Sequence, residues 1–487
     1  MMILKDILYN VALQSVQGTT DVVVNSIQYD SRKVEKNDLF VAIKGVHSDG
    51  HSFIEKAIEN GASVIVAETL PEYKIENITY VEVQSSSSAL AFMAANFYQH
   101  PSENLRLIGV TGTNGKTTVA SLLYNLFKAA GYKVGLISTV KIMVDNTSHS
   151  TSHTTPDSLV INSYLQQMNN VGVEFCFMEV SSHGIHQHRT EGLAFEGGIF
   201  TNLSHDHLDY HSSFAEYRDV KKSFFDGLSK TAFTLTNVDD KNGRIMVQNT
   251  KAKTYSYAMK SYADYRTQIL ENHFKGLLLK INDNEIWVKL IGSFNAYNLT
   301  AVFACADILG LENDELLRLM STLENVSGRF EYFVTPNNIT VIVDYAHTPD
   351  ALKNVLHTIN DIRTQNELLI SVVGCGGDRD KTKRPKMGHI ASALSSKVIF
   401  TSDNPRSENP DSIISEMEQG VEPQNFKKIM AITNRKQAIK AACQLARTND
   451  IILVAGKGHE SYQEINGKRS AFNDYEVALD YLNQLQK

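Results

Sequence analysis

A chain of 487 residues is too long for one hydrophobic core, and a prior of about 150 residues per domain points to three. Hydrophobic residues make up 42% and the formal charge is -7, so neither disorder nor a basic surface for nucleic acid or anionic membrane is indicated. No apolar run reaches membrane-spanning length, and the start, Met-Met-Ile-Leu-Lys-Asp-Ile-Leu, does not read as a secretory signal. Cys176, Cys305, Cys375 and Cys443 are scattered without a Cys-x-x-Cys pair, which predicts buried thiols in a reducing compartment and a cytoplasmic location.

Residues 1–98 alternate short β-rich runs (Val22 to Val24, Leu39 to Ile43, Ser63 to Ala67, Tyr80 to Val83) with helical patterns around Phe53 to Asn60 and Ala89 to Tyr98, predicting a small α/β domain. Its loops Tyr29 to Arg32 and Gly45 to Gly50 follow strands and read either as solvated turns or as ligand loops.

A second region, 99–330, opens at His100-Pro101. Leu105 to Val110 is an apolar run suited to a buried parallel strand, Thr111 to Gly115 breaks it, and Val119, Leu122, Leu123 and Leu126 have helical spacing. A strand, a glycine loop and a helix make a phosphate cradle: the backbone N–H groups and the helix N-terminus attract an anion. Gly112, Thr113, Asn114, Gly115, Lys116, Thr117 and Thr118 form that loop, with Lys116 reaching the outer phosphates and Thr117 a magnesium ligand. The strict pattern wants glycine where Val110 stands.

Strands at Lys133 to Thr139 and Glu174 to Ser181, with a helix opened by Thr154-Thr155-Pro156-Asp157 between them, imply a parallel sheet with its ligand beyond the strands' carboxyl ends. Glu179 ends an apolar strand, where a carboxylate needs a cation or an ion pair. The run Thr201 to His211 carries three histidines. His205, His207 and Asp209 overlap a binuclear metallohydrolase pattern, but Tyr210 stands where that pattern wants histidine. His207 reads better as one ligand of a magnesium site shared with Glu179.

A helix around Tyr217 to Phe225 carries Lys221 and Lys222, which spacing alone calls solvated. Residues 252–291 read as an inserted β-rich segment, followed by a helix from Leu299 to Leu309. In the third region, 331–487, strands at Thr340 to Asp344, Leu368 to Val373, Lys397 to Thr401 and Asp450 to Ala455 alternate with helices. This is a second doubly wound domain. Polar groups again follow its strands: Asp344-Tyr345-Ala346-His347, Gly376-Gly377-Asp378-Arg379, Asp403-Asn404-Pro405-Arg406 and Gly456-Lys457-Gly458-His459-Glu460.

Taken in order, Gly112 to Thr118, Glu179 to His183, Thr201 to Leu203, Asp206 to His211, Asn295 to Asn298, Gly328-Arg329, Asp344 to His347 and Gly456 to Glu460 resemble the Mur ligases over nearly the full length. The resemblance implies three domains: an N-terminal UDP-binding one, a central P-loop ATPase domain and a C-terminal Rossmann-like domain. The implied activity is ATP-dependent amide formation in peptidoglycan precursor synthesis, through an acyl phosphate. The nearest members add a third residue to UDP-N-acetylmuramoyl-L-alanyl-D-glutamate, and Asp403 to Arg406 looks like the signature of those that add meso-diaminopimelate, with lysine addition as the alternative.

By resemblance, Ser31, Val46, His47 and Ser48 contact the UDP end. Thr154, Thr155, Ser181, Gln187 and Arg189 hold the muramoyl-dipeptide, and Asn298, Arg329 and Asp344 meet the nucleotide. Arg379, Asp403, Asn404, Pro405, Arg406, Gly456 and Glu460 surround the incoming amino acid. Magnesium lies at Thr117, Glu179, His207 and a CO2-derived carbamate on Lys221, with Lys222 as the neighbouring register. The partners expected are ATP and the two substrates, without nucleic acid, membrane or a second subunit. Within the fold, a folate-glutamate ligase is the rival.

Overall fold

The computed structural model describes every residue except Val46, His47, Ser152, Leu208 and Asp209. Three sheets, each with its own core, account for most of the chain. The first has five strands in the order Leu13–Gln17, Thr79–Val83, Val64–Ala67, Leu39–Val41 and Ile27–Gln28, parallel apart from the first pair. Val64, Val66 and Val81 pack on Leu90 and Met93 of helix Ser86–Phe97, while Phe40 and Ile65 pack on Ile54 and Ala57 from the opposite face. Coverage of both faces explains why these strands are continuous apolar runs without a two-residue alternation.

The second sheet has eleven strands. Seven run parallel in the order Val134–Ile137, Phe175–Glu179, Arg106–Thr111, Phe195–Phe200, Phe233–Asn237, Lys253–Ala258 and Tyr265–His273, and antiparallel strands extend both edges. From Arg106–Thr111 the chain first builds outward to Val134–Ile137, returns to Phe175–Glu179, then crosses to Phe195–Phe200. Arg106–Thr111 is therefore the switch point where an open α/β sheet binds its ligand. Register brings Glu179 beside Val110 and Phe200 beside Thr111, so three loops leave the sheet at one place.

Residues 252–291 are β-rich as expected but are no insertion. Lys253–Ala258 and Tyr265–His273 continue the same sheet, and Gly276–Ile281 with Asn284–Val288 close its edge. Leu277, Leu279, Ile281 and Val288 share one core with Ala296, Leu299 and Val302 of helix Ser293–Ile308, and that burial ties the segment to the sheet. The helix starts at Ser293, six residues before the expected Leu299.

The third sheet has the order Glu331–Val334, Thr340–Asp344, Ile451–Ala455, Leu369–Cys375, Lys397–Ser402 and Ile429–Ala431, parallel except for its first strand. All four cysteines are free and buried. No helix is long and apolar enough to cross a membrane among the described residues.

One charged pair is sealed in the third core. Arg435 and Asp474 have fully buried side chains joined by bonds of 2.8 and 2.7 Å, and Arg435 Nη2 also donates to Ala455 O at 3.1 Å. Removing one partner strands the other charge in an apolar interior, whereas removing both does not. Arg435→Leu should therefore destabilise the third domain by about 3–5 kcal/mol in denaturant unfolding, and Arg435→Leu/Asp474→Leu should recover most of that loss. Equal instability of the two variants would refute this account.

Candidate functional site

Strand Arg106–Thr111 ends in a loop over 112–115, and helix Lys116–Ala129 begins at once. Gly112 has φ of 148°, and a Cβ there would lie 2.0 Å from Thr201 Oγ1, so the loop needs glycine to pass the neighbouring strand end. Asn202 braces the loop: its carbonyl accepts from Thr113 N at 2.8 Å and its Oδ1 from Asn114 N at 3.0 Å. Thr201 Oγ1 donates to Asn114 O at 2.6 Å.

Lys116 Nζ folds back on Gly112 O and Thr113 O at 2.9 and 2.8 Å. Lys221, from helix Phe214–Asp226, reaches the same Gly112 O at 2.9 Å with its side chain buried. Burial first and the Lys116 charge second push the Lys221 ammonium well below its ordinary pKa, and burial lowers Lys116 as well. Lys222 turns the other way and pairs with Asp226 at 2.7 Å. The apolar stripe of the helix, with Tyr217, Phe224 and Phe225 buried, forces these opposite directions.

Glu179 is 0% exposed at the end of strand Phe175–Glu179. Its Oε2 accepts from Thr117 Oγ1 at 3.0 Å and Thr139 Oγ1 at 3.2 Å, and its Oε1 from Thr139 N at 2.7 Å. Among the described residues no cation forms a salt bridge with it. A sunken carboxylate ringed by hydroxyls and lacking a counter-cation is a donor set that suits a hard divalent cation such as magnesium. His207 and Asp206 lie across the loop, with Nε2 and Oδ2 3.4 Å apart. Burial lowers His207 to about 3, so at neutral pH its imidazole keeps a lone pair. Burial alone would raise Asp206, but His207, His347 and Lys383 outweigh it and hold the carboxyl below its usual value.

His205 is exposed, and no cluster of three or more His, Cys, Asp and Glu side chains has metal-site geometry among the described residues. Asp209, with Val46 and His47, lies outside them. The His205, His207 and Asp209 grouping therefore lies partly outside the described residues.

The third domain closes the other side of the cleft. Arg329 Nη2 donates to Thr117 Oγ1 at 3.0 Å, and its guanidinium lies 4.5 Å from the Tyr345 ring centroid. Asp344 Oδ2 accepts from Phe330 N at 2.6 Å, and burial lifts this carboxyl to about 6 against the pull of Arg329. Asn114 reaches Asp350, at the start of helix Pro349–Ile362, at 3.4 Å. Asn298 donates to Asn295 at 3.1 Å, and a Cβ on Gly115 would lie 2.5 Å from Asn298 Oδ1. Half-buried His347 and His459 are lowered to about 4 and about 3 by desolvation, and their rings lie tilted 4.6 and 5.0 Å from that of Tyr345.

Around this centre stand the remaining expected residues. Thr155 Oγ1 bridges Glu179 O at 2.8 Å and Ser181 N at 2.9 Å, and Thr154 meets Thr139 at 3.0 Å. Arg189 Nη1 donates to Thr155 O and its Nη2 to Gln187 Oε1, both at 2.6 Å. Ser31 is buried in the first domain, where neighbouring Tyr29 donates to Asp157 at 3.1 Å, and Ser48 O accepts from Gly45 N. In the third domain Arg406 Nη1 donates to Gly377 O at 2.6 Å, and Arg379 donates to Asp378 O on an exposed loop. Asp403, Asn404, Pro405, Gly456 and Glu460 pack together behind Arg406; Asn404 Nδ2 and Glu460 Oε2 are 2.7 Å apart.

Sequence reasoning missed Thr139, Asp206, His347 and Lys457 as site residues. Thr139 and His347 stand just beyond strand ends, the position already treated as informative elsewhere. Asp206 was passed over for the histidines beside it, and Lys457 reads as solvated until its burial is known.

Family models match the chain at residues 23–98 (Mur ligase family, catalytic domain), 110–306 (Mur ligase middle domain) and 328–458 (Mur ligase, glutamate ligase domain). The chain is 51% identical over 485 residues to the UDP-N-acetylmuramoyl-L-alanyl-D-glutamate--2,6-diaminopimelate ligase of Cytophaga hutchinsonii, covering 99% of this chain and 100% of that one. It is 48% identical to the protein of the same name from Bacteroides thetaiotaomicron, with coverage of 99% and 100%. A solved structure bearing that name matches with a TM-score of 0.70 at 30% identity, covering 100% of this chain and 99% of the other. The MurF ligase from Thermotoga maritima in complex with ADP matches with a TM-score of 0.63 at 20% identity, covering 95% and 98%, a likeness of fold. With its three domain models matched in order and half its residues shared with full-length relatives, the chain belongs to the Mur ligase family.

Proposed function

We propose that this chain joins meso-2,6-diaminopimelate to the D-glutamate carboxylate of UDP-N-acetylmuramoyl-L-alanyl-D-glutamate, using ATP. The observation that carries the reading is one cleft in which Lys116, Lys221, Glu179 and His207 gather with Arg329, from the end of the second domain, and His347 of the third, in a chain half identical to ligases of that name. The buried thiols suit a reducing cytoplasm. The sheets and the matched ranges support domains of 1–98, 99–330 and 331–487.

An amine does not displace oxide from a carboxylate, so the acid is first converted to an acyl phosphate. The backbone N–H groups of 112–118 receive the triphosphate, and Lys116 exchanges its two carbonyl partners for the outer phosphates. Magnesium held by Thr117 and Glu179, with a second ion at His207, would neutralise phosphate charge. Lys221 in its cationic form opposes that arrangement. Its lowered pKa supplies the neutral amine that captures CO2, and the resulting carbamate turns a repelled cation into an anionic oxygen donor. Thr155, Ser181, Gln187 and Arg189 orient the dipeptide arm.

Diaminopimelate differs from lysine by a carboxylate at its far end. Arg406 spends one N–H on Gly377 O, which leaves the rest of its fork to bind that group bidentately, with Arg379 as a second cation. Lysine would leave the fork unpaired.

In an ATP-dependent ADP-release assay, kcat/KM for meso-diaminopimelate should exceed that for L-lysine by about 100-fold or more, and Arg406→Ala should shrink the ratio towards unity. Faster turnover with L-lysine would overturn the substrate assignment. Lys221→Ala should lower kcat by about 100-fold while the Kd for ATP changes less than about threefold; Lys222→Ala should stay near wild type. With 13C-labelled CO2, a carbamate NMR signal is expected in wild type and Lys222→Ala and not in Lys221→Ala. Its persistence in Lys221→Ala would refute the assignment.

A further inference from the structure

Lys457 lies in the turn after strand Ile451–Ala455, between two glycines. Gly456 has φ of 119°, and a Cβ there would sit 2.5 Å from Asp403 Oδ2, so the turn passes too close to Asp403 for any larger residue. The turn sends Lys457 inward, with a side chain 0% exposed. Its Nζ donates to Asn404 Oδ1 at 2.9 Å and to Glu460 Oε2 at 2.8 Å, and stands 3.8 Å from Asp403 Oδ1. Glu460 Oε2 also accepts from Asn404 Nδ2 at 2.7 Å. Asn404 Oδ1 in turn accepts from Glu464 N at 2.9 Å.

Both bonds to the Glu460 carboxylate thus fall on one oxygen. Among the described residues no hydrogen bond reaches Glu460 Oε1. We infer that Lys457 is a positioning residue for the incoming amino acid: it clamps Glu460 Oε2 to Asn404 and presents Oε1 as a fixed acceptor for an ammonium group. The inference rests on the reading of Glu460 as that ammonium's partner. Charge supports it, because two carboxylates and one buried ammonium leave a single negative charge that an incoming ammonium neutralises. A buried lysine without those acids would be expensive, and the acids without it would repel each other.

The role also spans two loops. Asn404 belongs to the loop after strand Lys397–Ser402, and Glu460 to the turn after Ile451–Ala455. Lys457 joins them two residues from Arg406 in the first loop. One side chain therefore sets the spacing between the guanidinium at one end of the amino-acid site and the carboxylate at the other.

The test measures KM for meso-diaminopimelate, ATP and the UDP-dipeptide, with kcat, in Glu460→Gln, Lys457→Met and the double variant of the full chain. Glu460→Gln should raise KM for diaminopimelate alone by about tenfold. Lys457→Met should do the same with the other two KM values within about twofold, and the double variant should be no worse than Glu460→Gln, because Lys457 acts through Glu460. If Glu460→Gln leaves that KM unchanged, the reading of Glu460 fails and the inference with it. If Glu460→Gln raises it and Lys457→Met does not, raises all three alike, or multiplies with Glu460→Gln, the inference alone fails. Should Lys457→Met not fold, Lys457→Gln decides: a selective rise of about threefold supports the clamp, and an unchanged KM overturns it.

Discussion

Lys116 and Lys221 both donate to the carbonyl of Gly112, so two ammonium groups from different helices, Lys221 buried and Lys116 half-buried, converge on one backbone oxygen. Like charges this close are tolerable only if one loses its proton or anions arrive, and burial has already lowered both. The remainder of the cleft is a response to that pressure. Glu179 contributes a buried carboxylate on one side and Asp206 another, and the loop amides point at the space where phosphate charge enters. An anion at the loop would relieve that repulsion from one direction, and the proposed carbamate on Lys221 from the other.

Because the cleft lies between domains, its charges depend on how the third domain sits. Arg329 touches Thr117 with one nitrogen while lying over the Tyr345 ring, and Tyr345 in turn makes tilted ring contacts with His347 and His459. His347 and Lys383 then reach back electrostatically to Asp206. The nucleotide loop is thereby connected through packed aromatic rings to the turn that ends in Glu460. In the proposed reaction, carboxylate activation and amine capture draw on residues of different domains, and this continuous wall joins them.

The positions of Glu179, Thr201 and the phosphate loop were legible from sequence because parallel strands covered on both faces are unbroken apolar runs, and a polar residue at the end of such a run has one place to go. The same logic failed for 252–291. There, the segment reads from sequence as an inserted β-rich piece, and only packing on helix Ser293–Ile308 shows that it finishes the large sheet. The direction of adjacent side chains was equally out of reach. Lys221 and Lys222 differ by about 100° around a helix, and which of them points inward follows from where Tyr217 and Phe225 bury, a tertiary fact. The likeness of the motifs to a known family carried the site roles further than any spacing could.

The charged groups of the third domain form a graded series. Arg435 and Asp474, deepest, form a bidentate pair through Nε and Nη2, with Arg435 Nη1 enclosed and unpaired. Arg384, also fully buried, is shared between Glu408 and Glu416 and steadies the loop that carries Gly376. Lys457 is buried too, yet its acids are only half satisfied, because both bonds fall on one oxygen of Glu460. Arg406, nearest the opening and only half-buried, has a single carbonyl partner. Unused capacity that faces the cleft is thus left at Arg406 and at Glu460 Oε1, whereas the spare Arg435 Nη1 and Arg384 Nε are enclosed in the core. A ligand can claim only what the fold has not used, so the arginine with the most unspent donors and the carboxylate with the free oxygen are where a diamino diacid has something to gain, and the sealed pairs behind them are what keep both groups from turning inward to satisfy themselves.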